Sequence, residues 1–509
     1  LDIRFGKYSK KSIGVVAKNG TVINLGKNST ISDNADTGAE ENIMVYAEGI
    51  WFNPRLKWTN QPIDSGSYGT EAYRRGESVT GKKYISDFNT TVNVKQDVTM
   101  GSIKSTALFA KDGAIINAKD VRMNGYGSKA VLAYGVKNYT DIVDSNNTNP
   151  NKQPNTIINV ANITAIDNGT DPNSNIAAIA ISQDGSQKGT GNVSVNVSGK
   201  VDVHGVGAFA RGDKATVTIG GANSNIVSGS NSGLVATDGG TVTLDKNTIK
   251  LKGTGGVAVI ASEGTTVNAQ TATVELIGTN VKGVGVYAKK GSTANTAGWT
   301  FKNNGNQAEE VRSEEGKVPI AAGLKLLNPR MVLSHVINGE TYVAAGGTVR
   351  SQNDGSHTAK ENIGLMAEGI KNPTAPTPLT WDEGNFEAVN NGTIDFTIAD
   401  KSTAIYVNSA RAKNNGVINV GKNSTAIYGF YDKNTRKYDG AIGNPNKLEI
   451  ETTGNSKISL GDQSTGMYLI NAEKINNTGG EITSTTGAKR NVGIYAVNGQ
   501  DADNDNNKV

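Results

Sequence analysis

The stretch from Gly205 to Lys290 repeats one short pattern, in which a glycine is followed by an apolar run, an alanine and a polar turn. The four copies read HGVGAFARGD at 204–213, SGLVATDGG at 232–240, GGVAVIASEG at 255–264 and KGVGVYAKKG at 282–291. The alanines at the same place in each copy are Ala210, Ala236, Ala261 and Ala288, so the period is 25 to 27 residues. A period in this range is typical of repeat architectures.

Between the copies lie short runs in which apolar and polar residues alternate, such as Thr241–Leu244 and Thr248–Leu251. Alternation is the period of a strand, so each repeat predicts about three strands and three turns. A period this short leaves no room for crossover helices, but strands become parallel when the chain coils and each turn pairs with the next. The sequence therefore predicts an all-β fold, a right-handed parallel β-helix, with almost no α-helix outside its insertions.

The composition fits a narrow coil and argues against several classes of protein. Glycine contributes 62 of 509 residues and hydrophobic residues only 36%, which suits a chain with many turns and a thin core. The net charge is +4 without a basic block, so we expect no nucleic-acid partner. The absence of cysteine fits a reducing compartment, chance, or export of the unfolded chain through an oxidising compartment. No apolar run is as long as a membrane span.

Four stretches break the repeat and are predicted to be insertions that leave the coil, at about 50–100, 138–154, 292–351 and 371–390. The first and the last follow the same wording, A-E-G-I at 47–50 and at 367–370, and both continue with an Asn-Pro pair and a tryptophan. Because they leave at the same phase of the repeat, we expect them to emerge from the same corner of the cross-section. We interpret residues 1–509 as one continuous β-helical fragment of a longer protein.

The most regular wording lies near the end of the chain. The run Asn414–Gly429 reads NNGVINVGKNSTAIYG, and related runs occur at Asn476–Ile482, Val492–Ala496 and, more loosely, Lys11–Asn28. In this wording the chain resembles the passenger domains of large fusobacterial type V autotransporter adhesins, the RadD-like proteins and their galactose-sensitive relatives. The resemblance implies a β-helical passenger on the extracellular face of the outer membrane, anchored through a C-terminal outer-membrane barrel. It also implies adhesion to host-cell or bacterial surface receptors, either glycans or immunoglobulin-fold proteins.

Side chains suited to recognition are concentrated in the first and last insertions. Aromatic side chains beside a cation suit stacking on sugar rings or anchoring in a protein pocket. We therefore expect the segment Ile50–Phe88 to hold the main contact surface, although tryptophans there could equally form the small core of an insertion. The candidate partner-binding residues are Trp51, Phe52, Arg55, Trp58, Trp381 and Phe386.

Two short motifs suggest more specific ligands. Arg211, Gly212 and Asp213 form an integrin-type tripeptide, but the same turn holds glycine and charged residues in other copies, so turn geometry explains it and integrin binding is the alternative. The aspartates at 501, 503 and 505 have the spacing of a calcium loop, but an asparagine stands where such a loop needs glycine. A solvated acidic turn is the favoured interpretation, and we expect no metal site.

The alternative function is that of a polysaccharide lyase or hydrolase, since β-helices also host such enzymes. These enzymes need clustered carboxylates, often with a basic residue or calcium, on one outer face. Here the acidic residues lie mostly singly in turns, and His204, His335 and His357 lie far apart in the sequence. The sequence contains no Gly-x-Ser-x-Gly elbow. We therefore expect an adhesin without a cofactor rather than an enzyme.

The residue before the alanine of the repeat is often aromatic, and the residue before that is aliphatic. Alternation sends these two residues to opposite faces of the strand, so the aliphatic one should be buried and the aromatic one should lie outside. We expect the aromatic residues to form a self-stacking ladder that stiffens the coil, with a docking face as the alternative. The aromatic members are Tyr46, Phe109, Phe209, Tyr287, Tyr406, Tyr428, Tyr468 and Tyr495.

Overall fold

The fold is seen in a computed structural model, in which the described residues form strands and no helix. None of these residues therefore belongs to a helix long and apolar enough to cross a membrane. The described residues are 2–6, 8–18, 20–26, 30–33, 39–49, 90–137, 154–166, 175–228, 232–244, 247–252, 256–262, 264–269, 272–277, 283–289, 292–295, 300–303, 308–314, 317–320, 324–326, 331–337, 339–351, 359–369, 386–431 and 448–498.

The strands of the first half are short and follow one another with only brief turns between most of them. In chain order they are β1 (Asp2–Ile3), β2 (Ile13–Lys18), β3 (Val22–Leu25), β4 (Thr30–Asp33), β5 (Ile43–Glu48), β6 (Thr90–Val94), β7 (Val98–Met100), β8 (Thr106–Lys111), β9 (Ala114–Ala118), β10 (Asp120–Met123), β11 (Lys129–Tyr134), β12 (Thr156–Val160), β13 (Asn162–Ala165), β14 (Asn175–Ile181), β15 (Gln183–Asp184), β16 (Gln187–Lys188), β17 (Val193–Val197), β18 (Val201–Arg211), β19 (Ala215–Ile219), β20 (Asn225–Ser228), β21 (Ser232–Thr237), β22 (Thr241–Leu244) and β23 (Thr248–Leu251).

The second half continues in the same way. Its strands are β24 (Val257–Ala261), β25 (Thr266–Asn268), β26 (Thr273–Leu276), β27 (Gly283–Ala288), β28 (Thr293–Asn295), β29 (Thr300–Asn303), β30 (Ala308–Glu314), β31 (Lys317–Ile320), β32 (Leu324–Leu326), β33 (Met331–Ile337), β34 (Glu340–Val343), β35 (Thr348–Ser351), β36 (Ile363–Glu368), β37 (Glu387–Asn390), β38 (Thr393–Phe396), β39 (Thr403–Asn408), β40 (Arg411–Asn414), β41 (Val417–Val420), β42 (Thr425–Phe430), β43 (Glu449–Thr453), β44 (Lys457–Leu460), β45 (Thr465–Ile470), β46 (Lys474–Thr478), β47 (Glu481–Ser484) and β48 (Val492–Val497).

The chain divides into two compact units. Unit 1 comprises Leu1–Lys250 and Glu263–Gln270, and unit 2 comprises Leu251–Ser262 and Thr271–Val509. Within each unit the chain passes through three parallel sheets in turn and then returns to the first sheet one turn further on. In unit 1, for example, β2 is followed by β3 and β4 in the other two sheets, and β5 then pairs in parallel with β2. The predicted parallel β-helix is confirmed.

We number the sheets by the order in which the chain visits them, starting from the strand that carries the alanine of the repeat. In unit 1 the first sheet contains β2, β5, β8, β11, β14, the end of β18 and β21, the second contains β3, β6, β9, β12, β17, β19, β22 and β25, and the third contains β1, β4, β7, β10, β13, the start of β18 and β20. In unit 2 the first sheet contains β24, β27, β30, β33, β36, β39, β42, β45 and β48, the second contains β31, β34, β37, β40, β43 and β46, and the third contains β32, β35, β38, β41, β44 and β47.

Successive turns align residue by residue, so that like side chains stack on like. In the first sheet of unit 2, Ile405 pairs with Ile427 and Ile427 pairs with Met467. The first two are 0% exposed and Met467 is 1% exposed, as expected for the aliphatic position of the repeat. The alternating pattern thus builds one narrow apolar core per unit, in which each residue contacts its equivalents in the neighbouring turns.

A polar ladder at the corner before the first sheet fixes the spacing of the turns. The backbone N–H of Ser402 donates to Oγ of Ser424 at 3.0 Å, and the N–H of Ser424 donates to Oγ of Ser464 at 3.1 Å. All three serines are buried, so each otherwise unpaired backbone donor finds an acceptor one turn further on. The preceding residues Lys401 and Asn423 have φ of 52° and 53°, which turns the chain into the strand.

Gly205 allows one strand to serve two sheets. In β18 the start, Val201–Val203, pairs with β13 in the third sheet, and the end pairs with β14 in the first sheet. The chain bends between them at Gly205, whose φ is 136°. A Cβ atom there would collide with the backbone oxygen of Asn175, so this corner requires glycine.

The structure differs from the sequence prediction in the stretch 292–351. Instead of an insertion it contains β28 to β35, and β30 and β33 continue the first sheet in register. The pattern is obscured because polar residues replace the usual ones: Arg312 and His335 occupy the aromatic position and Ser334 the aliphatic position. The coil also resumes within two other stretches, at β6 in 50–100 and at β37 in 371–390.

Candidate interaction surface

The outer face of the first sheet carries the predicted aromatic column. In unit 2 the rings of Tyr406 and Tyr428 stack with centroids 5.3 Å apart and planes 5° apart. The next pairs, Tyr428 with Tyr468 and Tyr468 with Tyr495, have centroids 5.5 Å and 4.9 Å apart and planes 4° and 19° apart. The predicted self-stacking ladder is therefore present on these four strands.

Stacking determines what this ladder can offer to a ligand. Each inner ring turns both faces toward a neighbouring tyrosine, so ring edges and hydroxyl groups are left to face outward. A sugar ring or an aromatic side chain that binds by stacking needs a free ring face. The inner part of the ladder is therefore better suited to stiffening the coil than to stacking on a ligand.

Burial raises the pKa of Tyr406 to about 12, so its phenol is neutral at physiological pH.

In unit 1 the column is mixed, and a row of charges runs beside it. Tyr46 meets Phe109 edge to face with centroids 5.3 Å apart. Two residues after Tyr46, Glu48 lies between Lys18 at 2.9 Å and Lys111 at 3.0 Å. Burial alone would raise the pKa of Glu48, but the hydrogen bonds to these two lysines outweigh burial and lower it. Neighbouring turns are thus joined by ion pairs as well as by rings.

The integrin-type tripeptide lies at the end of β18, and its arginine is engaged within the fold. The Arg211 guanidinium donates through Nε to Oδ2 of Asp238 at 2.7 Å, and its Nη1 lies 3.7 Å from Asp184. The Gly212 N–H donates to the backbone oxygen of Thr237, while Asp213 is exposed. A tripeptide that binds a receptor must present its arginine and its aspartate together, and this arginine is held by two carboxylates.

The outer face of the second sheet in unit 1 carries an amide ladder. Asn93 donates through its side-chain amide to Oδ1 of Asn24 at 2.8 Å, and Asn117 donates to Asn93 at 2.9 Å. Asn159 and Asn196 continue the ladder with bonds of 2.8 Å and 2.9 Å. The three inner asparagines therefore each use one donor and one acceptor on their neighbours, and the four bonds tie five successive turns together.

A charged cluster interrupts the aromatic column in unit 2. Arg312 and His335 stand in register at the aromatic position of β30 and β33. Nδ1 of His335 lies 2.9 Å from Oε1 of Glu309, and its Nε2 lies 2.9 Å from Oε2 of Glu368. The Arg312 guanidinium lies 3.6 Å from the second oxygen of Glu309. His335 is only 6% exposed, although it lies outside the coil interior.

The two glutamates determine the protonation state of His335. Burial alone would lower the pKa of His335, but hydrogen bonds to Glu309 and Glu368 and their negative charges outweigh burial and raise it to about 9. At neutral pH the ring is therefore an imidazolium that donates to one carboxylate from each nitrogen. Neither nitrogen has a lone pair left for a metal ion or for a proton from a substrate.

Sequence reasoning missed this cluster because its members are distant in the chain. Glu309 lies 26 residues before His335, and Glu368 lies 33 residues after it. Those separations are close to one turn of the coil, so aligning the repeats would have placed the three residues on neighbouring turns, although not in register with one another. The cluster does place carboxylates and a histidine on an outer face, as the enzyme hypothesis requires. However, the ring is buried and both its nitrogens are occupied, which argues against acid–base catalysis at this place.

The described residues contain no group of three or more His, Cys, Asp or Glu that could hold a metal ion. In the Glu309, His335 and Glu368 cluster the two carboxylates lie on opposite edges of the imidazole. This arrangement fits one hydrogen bond from each ring nitrogen to a carboxylate rather than the coordination of a metal ion. The aspartates at 501, 503 and 505 lie outside the described residues, so the interpretation of that segment stays a prediction.

Most candidate partner-binding residues lie outside the described part of the chain: Trp51, Phe52, Arg55, Trp58 and Trp381. Phe386 is described and is buried, with 6% of its surface exposed, immediately before β37. Its side chain therefore belongs to the coil and has little surface to offer to a partner. The assignment of the other five residues to a contact surface stays a prediction.

The described strands show the positions in the coil that directly precede the first and last candidate segments. The Gly49 N–H donates to the backbone oxygen of Lys111 at 2.9 Å, and the Gly369 N–H donates to that of Asn408 at 3.0 Å. In each case the glycine follows the last residue of a first-sheet strand and bonds to the first-sheet strand one turn further on. The two exits therefore occupy equivalent positions in the repeat.

Comparison with known protein families finds no match, and comparison with curated proteins finds none either.

Proposed function

We propose that this chain is the passenger part of an extracellular bacterial adhesin, in which a β-helical coil presents segments that bind a surface receptor. The receptor is a host-cell or bacterial surface molecule, either a glycan or an immunoglobulin-fold protein. The proposal follows the resemblance of the repeat wording to autotransporter adhesins, and it places the protein on the outer surface of the cell. The geometry that supports it best is the pair of equivalent exits at Gly49 and Gly369.

The equivalent positions of Gly49 and Gly369 support the proposal because the segment that follows each glycine does not disturb the pairing of the coil. The strand before each exit and the strand after it keep the register of the first sheet, so a long segment is accommodated without a change in the pairing. Segments on a rigid scaffold are the usual place for recognition. The segment after Gly49 contains Trp51 and Trp58, and tryptophan is enriched among the residues that dominate binding energy.

The outer faces of the sheets also support a structural role for the coil and a binding role for the segments. In the tyrosine ladder, the amide ladder and the ion pairs of Glu48, each side chain contacts the residue at the same position of a neighbouring turn. A face whose polar, charged and aromatic groups contact one another stabilises the coil and has fewer groups left to recognise a partner. Recognition by the segments that leave the corners is then the simplest arrangement.

The test compares the chain with variants of its first segment in adhesion to receptor-bearing cells and in a screen against glycans and immunoglobulin-fold proteins. Trp51→Ala or Trp58→Ala should weaken binding roughly thirtyfold, the effect of losing about 2 kcal/mol at a hot spot, without changing the melting of the coil. Trp381→Ala serves as the matched variant for the other segment. Deletion of residues 50–88 with adhesion intact would place the contact surface elsewhere.

A second experiment distinguishes the adhesin from the alternative, an enzyme that degrades polysaccharides. The cluster of Glu309, Glu368 and His335 is the observation that keeps it in view, because it gathers acidic and basic groups on one outer face. The chain is incubated with acidic and neutral polysaccharides, with and without calcium. Release of shortened or unsaturated products would overturn the adhesin proposal, whereas binding without turnover supports it.

A further inference from the structure

The tyrosine ladder of unit 2 brings together four phenols that are 22 to 40 residues apart from one to the next in the sequence. Tyr406, Tyr428, Tyr468 and Tyr495 lie on β39, β42, β45 and β48, and each pairs in register with the next. Their ring centroids are 4.9 to 5.5 Å apart, with planes within 19° of parallel. Tyr406, Tyr428 and Tyr468 are half-buried, so part of each side chain is open to oxidation from outside the coil.

We propose that these four residues form an oxidative cross-linking site, at which a haem peroxidase using hydrogen peroxide joins neighbouring tyrosines into dityrosine. The peroxidase takes one electron and one proton from each of two phenols. The two phenoxyl radicals form a carbon–carbon bond between ring positions next to the hydroxyl groups, and each ring regains aromaticity by moving its displaced hydrogen to oxygen. One hydrogen peroxide is reduced to two waters, and the protein loses two hydrogen atoms per cross-link.

The geometry favours coupling within one chain over other fates of the radical. A phenoxyl radical formed on any ladder residue already has a second phenol against its face, held there by strands that hydrogen-bond along their length. Each tyrosine has two rotatable side-chain bonds, so neighbouring rings can turn their edges together without a change in the backbone. The product would tie successive turns of the coil covalently, as other covalent modifications constrain a fold.

The equivalent column in unit 1 provides an internal comparison. Tyr46 contacts Phe109, which has no hydroxyl group, and the two rings meet edge to face. Oxidation of Tyr46 therefore finds no phenol at its paired position one turn further on. The column position alone does not create the site, since it requires tyrosine on adjacent strands.

The experiment treats the purified chain with horseradish peroxidase and limiting hydrogen peroxide. We expect dityrosine fluorescence, a monomer whose mass has fallen by two hydrogens per cross-link, and cross-linked peptides joining Tyr406 to Tyr428 or Tyr468 to Tyr495. The yield per chain should not change when the protein is diluted. Cross-links found only between chains, or no dityrosine in the monomer, would overturn the proposal.

Tyrosine-to-phenylalanine variants test the assignment without removing the stacked rings. Tyr428→Phe leaves only the Tyr468 and Tyr495 pair, so the number of cross-links should fall from up to two per chain to at most one. Adding Tyr495→Phe leaves Tyr406 and Tyr468 two turns apart, and monomer coupling should fall to background. Tyr126→Phe is the matched control, since Tyr126 is 45% exposed and lies in unit 1. Unchanged coupling in the double variant would contradict the assignment, which does not depend on the proposed adhesion.

Discussion

Replacing His335 by glutamine removes the imidazolium that Glu309 and Glu368 share across three turns of the coil. Glutamine keeps much of the volume and can still accept or donate one hydrogen bond, so the change tests the charge rather than the packing. In the wild type each ring nitrogen lies 2.9 Å from a carboxylate oxygen. We expect the variant to weaken the local fold of β30, β33 and β36 at neutral pH.

The size of the effect follows from the pKa of His335. It is raised from 6.5 to about 9, a difference of about 2.5 units, and the side chain is 8% exposed. At about 1.4 kcal/mol per unit, protonation contributes on the order of 3 kcal/mol to the stability of the folded state. Because the folded pKa is the higher one, this contribution is complete below pH 6.5 and is lost as the pH rises through about 9.

Hydrogen exchange followed by mass spectrometry measures the effect locally. At each pH the variant is compared with the wild type, so the intrinsic pH dependence of exchange cancels. Amides of β33 should exchange on the order of 100-fold faster in the variant at pH 6.5, and the ratio should approach one near pH 10. Amides of β42 and a His204→Gln variant serve as controls. A ratio for β33 that is independent of pH would refute the argument that the charge of His335 stabilises these turns.

Three further outcomes follow from the described contacts. Ser424→Ala removes the acceptor of the Ser402 N–H, and it should cost about 1–3 kcal/mol in the free energy of unfolding, measured by denaturant titration. Leu108→Ala empties a site that is 0% exposed and should cost about 2–5 kcal/mol by the same measurement, with a fast-exchanging β8 as its local sign. Asp213→Ala changes an exposed side chain and should leave both the melting temperature and attachment to integrin-bearing cells unchanged, because the arginine of the tripeptide is paired within the fold; loss of attachment would restore the integrin interpretation.

The fold was accessible from the sequence because one turn of the coil repeats both a length and a pattern. Alternation assigned Ile405, Ile427 and Met467 to the interior, and all three are buried. Spacing alone then brought equivalent residues into register, which is why the tyrosine ladder could be predicted from Tyr428 and its relatives. The prediction failed at 292–351, where the length of the turn persists but Ser334 and His335 break the pattern.

The charged cluster could not be predicted by the reasoning that found the ladder. Aromatic residues repeat at one column, whereas Glu309 stands at an earlier position of its strand than His335, and Glu368 at a later one. A diagonal contact of this kind depends on register between turns and on the reach of the side chains. His335, one of three histidines that lie far apart in the sequence, thus has two close ionic partners in the fold.

The ladders also explain how such a coil can accommodate segments of different length between its strands. In a stacked repeat each turn gains most of its stability from the turns on either side, so the energetic effect of a change remains local. The bonds that Gly49 and Gly369 make to the next turn hold the strand end in place, whatever the length of the segment that follows. A change in the sequence of that segment should therefore leave the serine, asparagine and tyrosine ladders, and the register of the coil, unaltered.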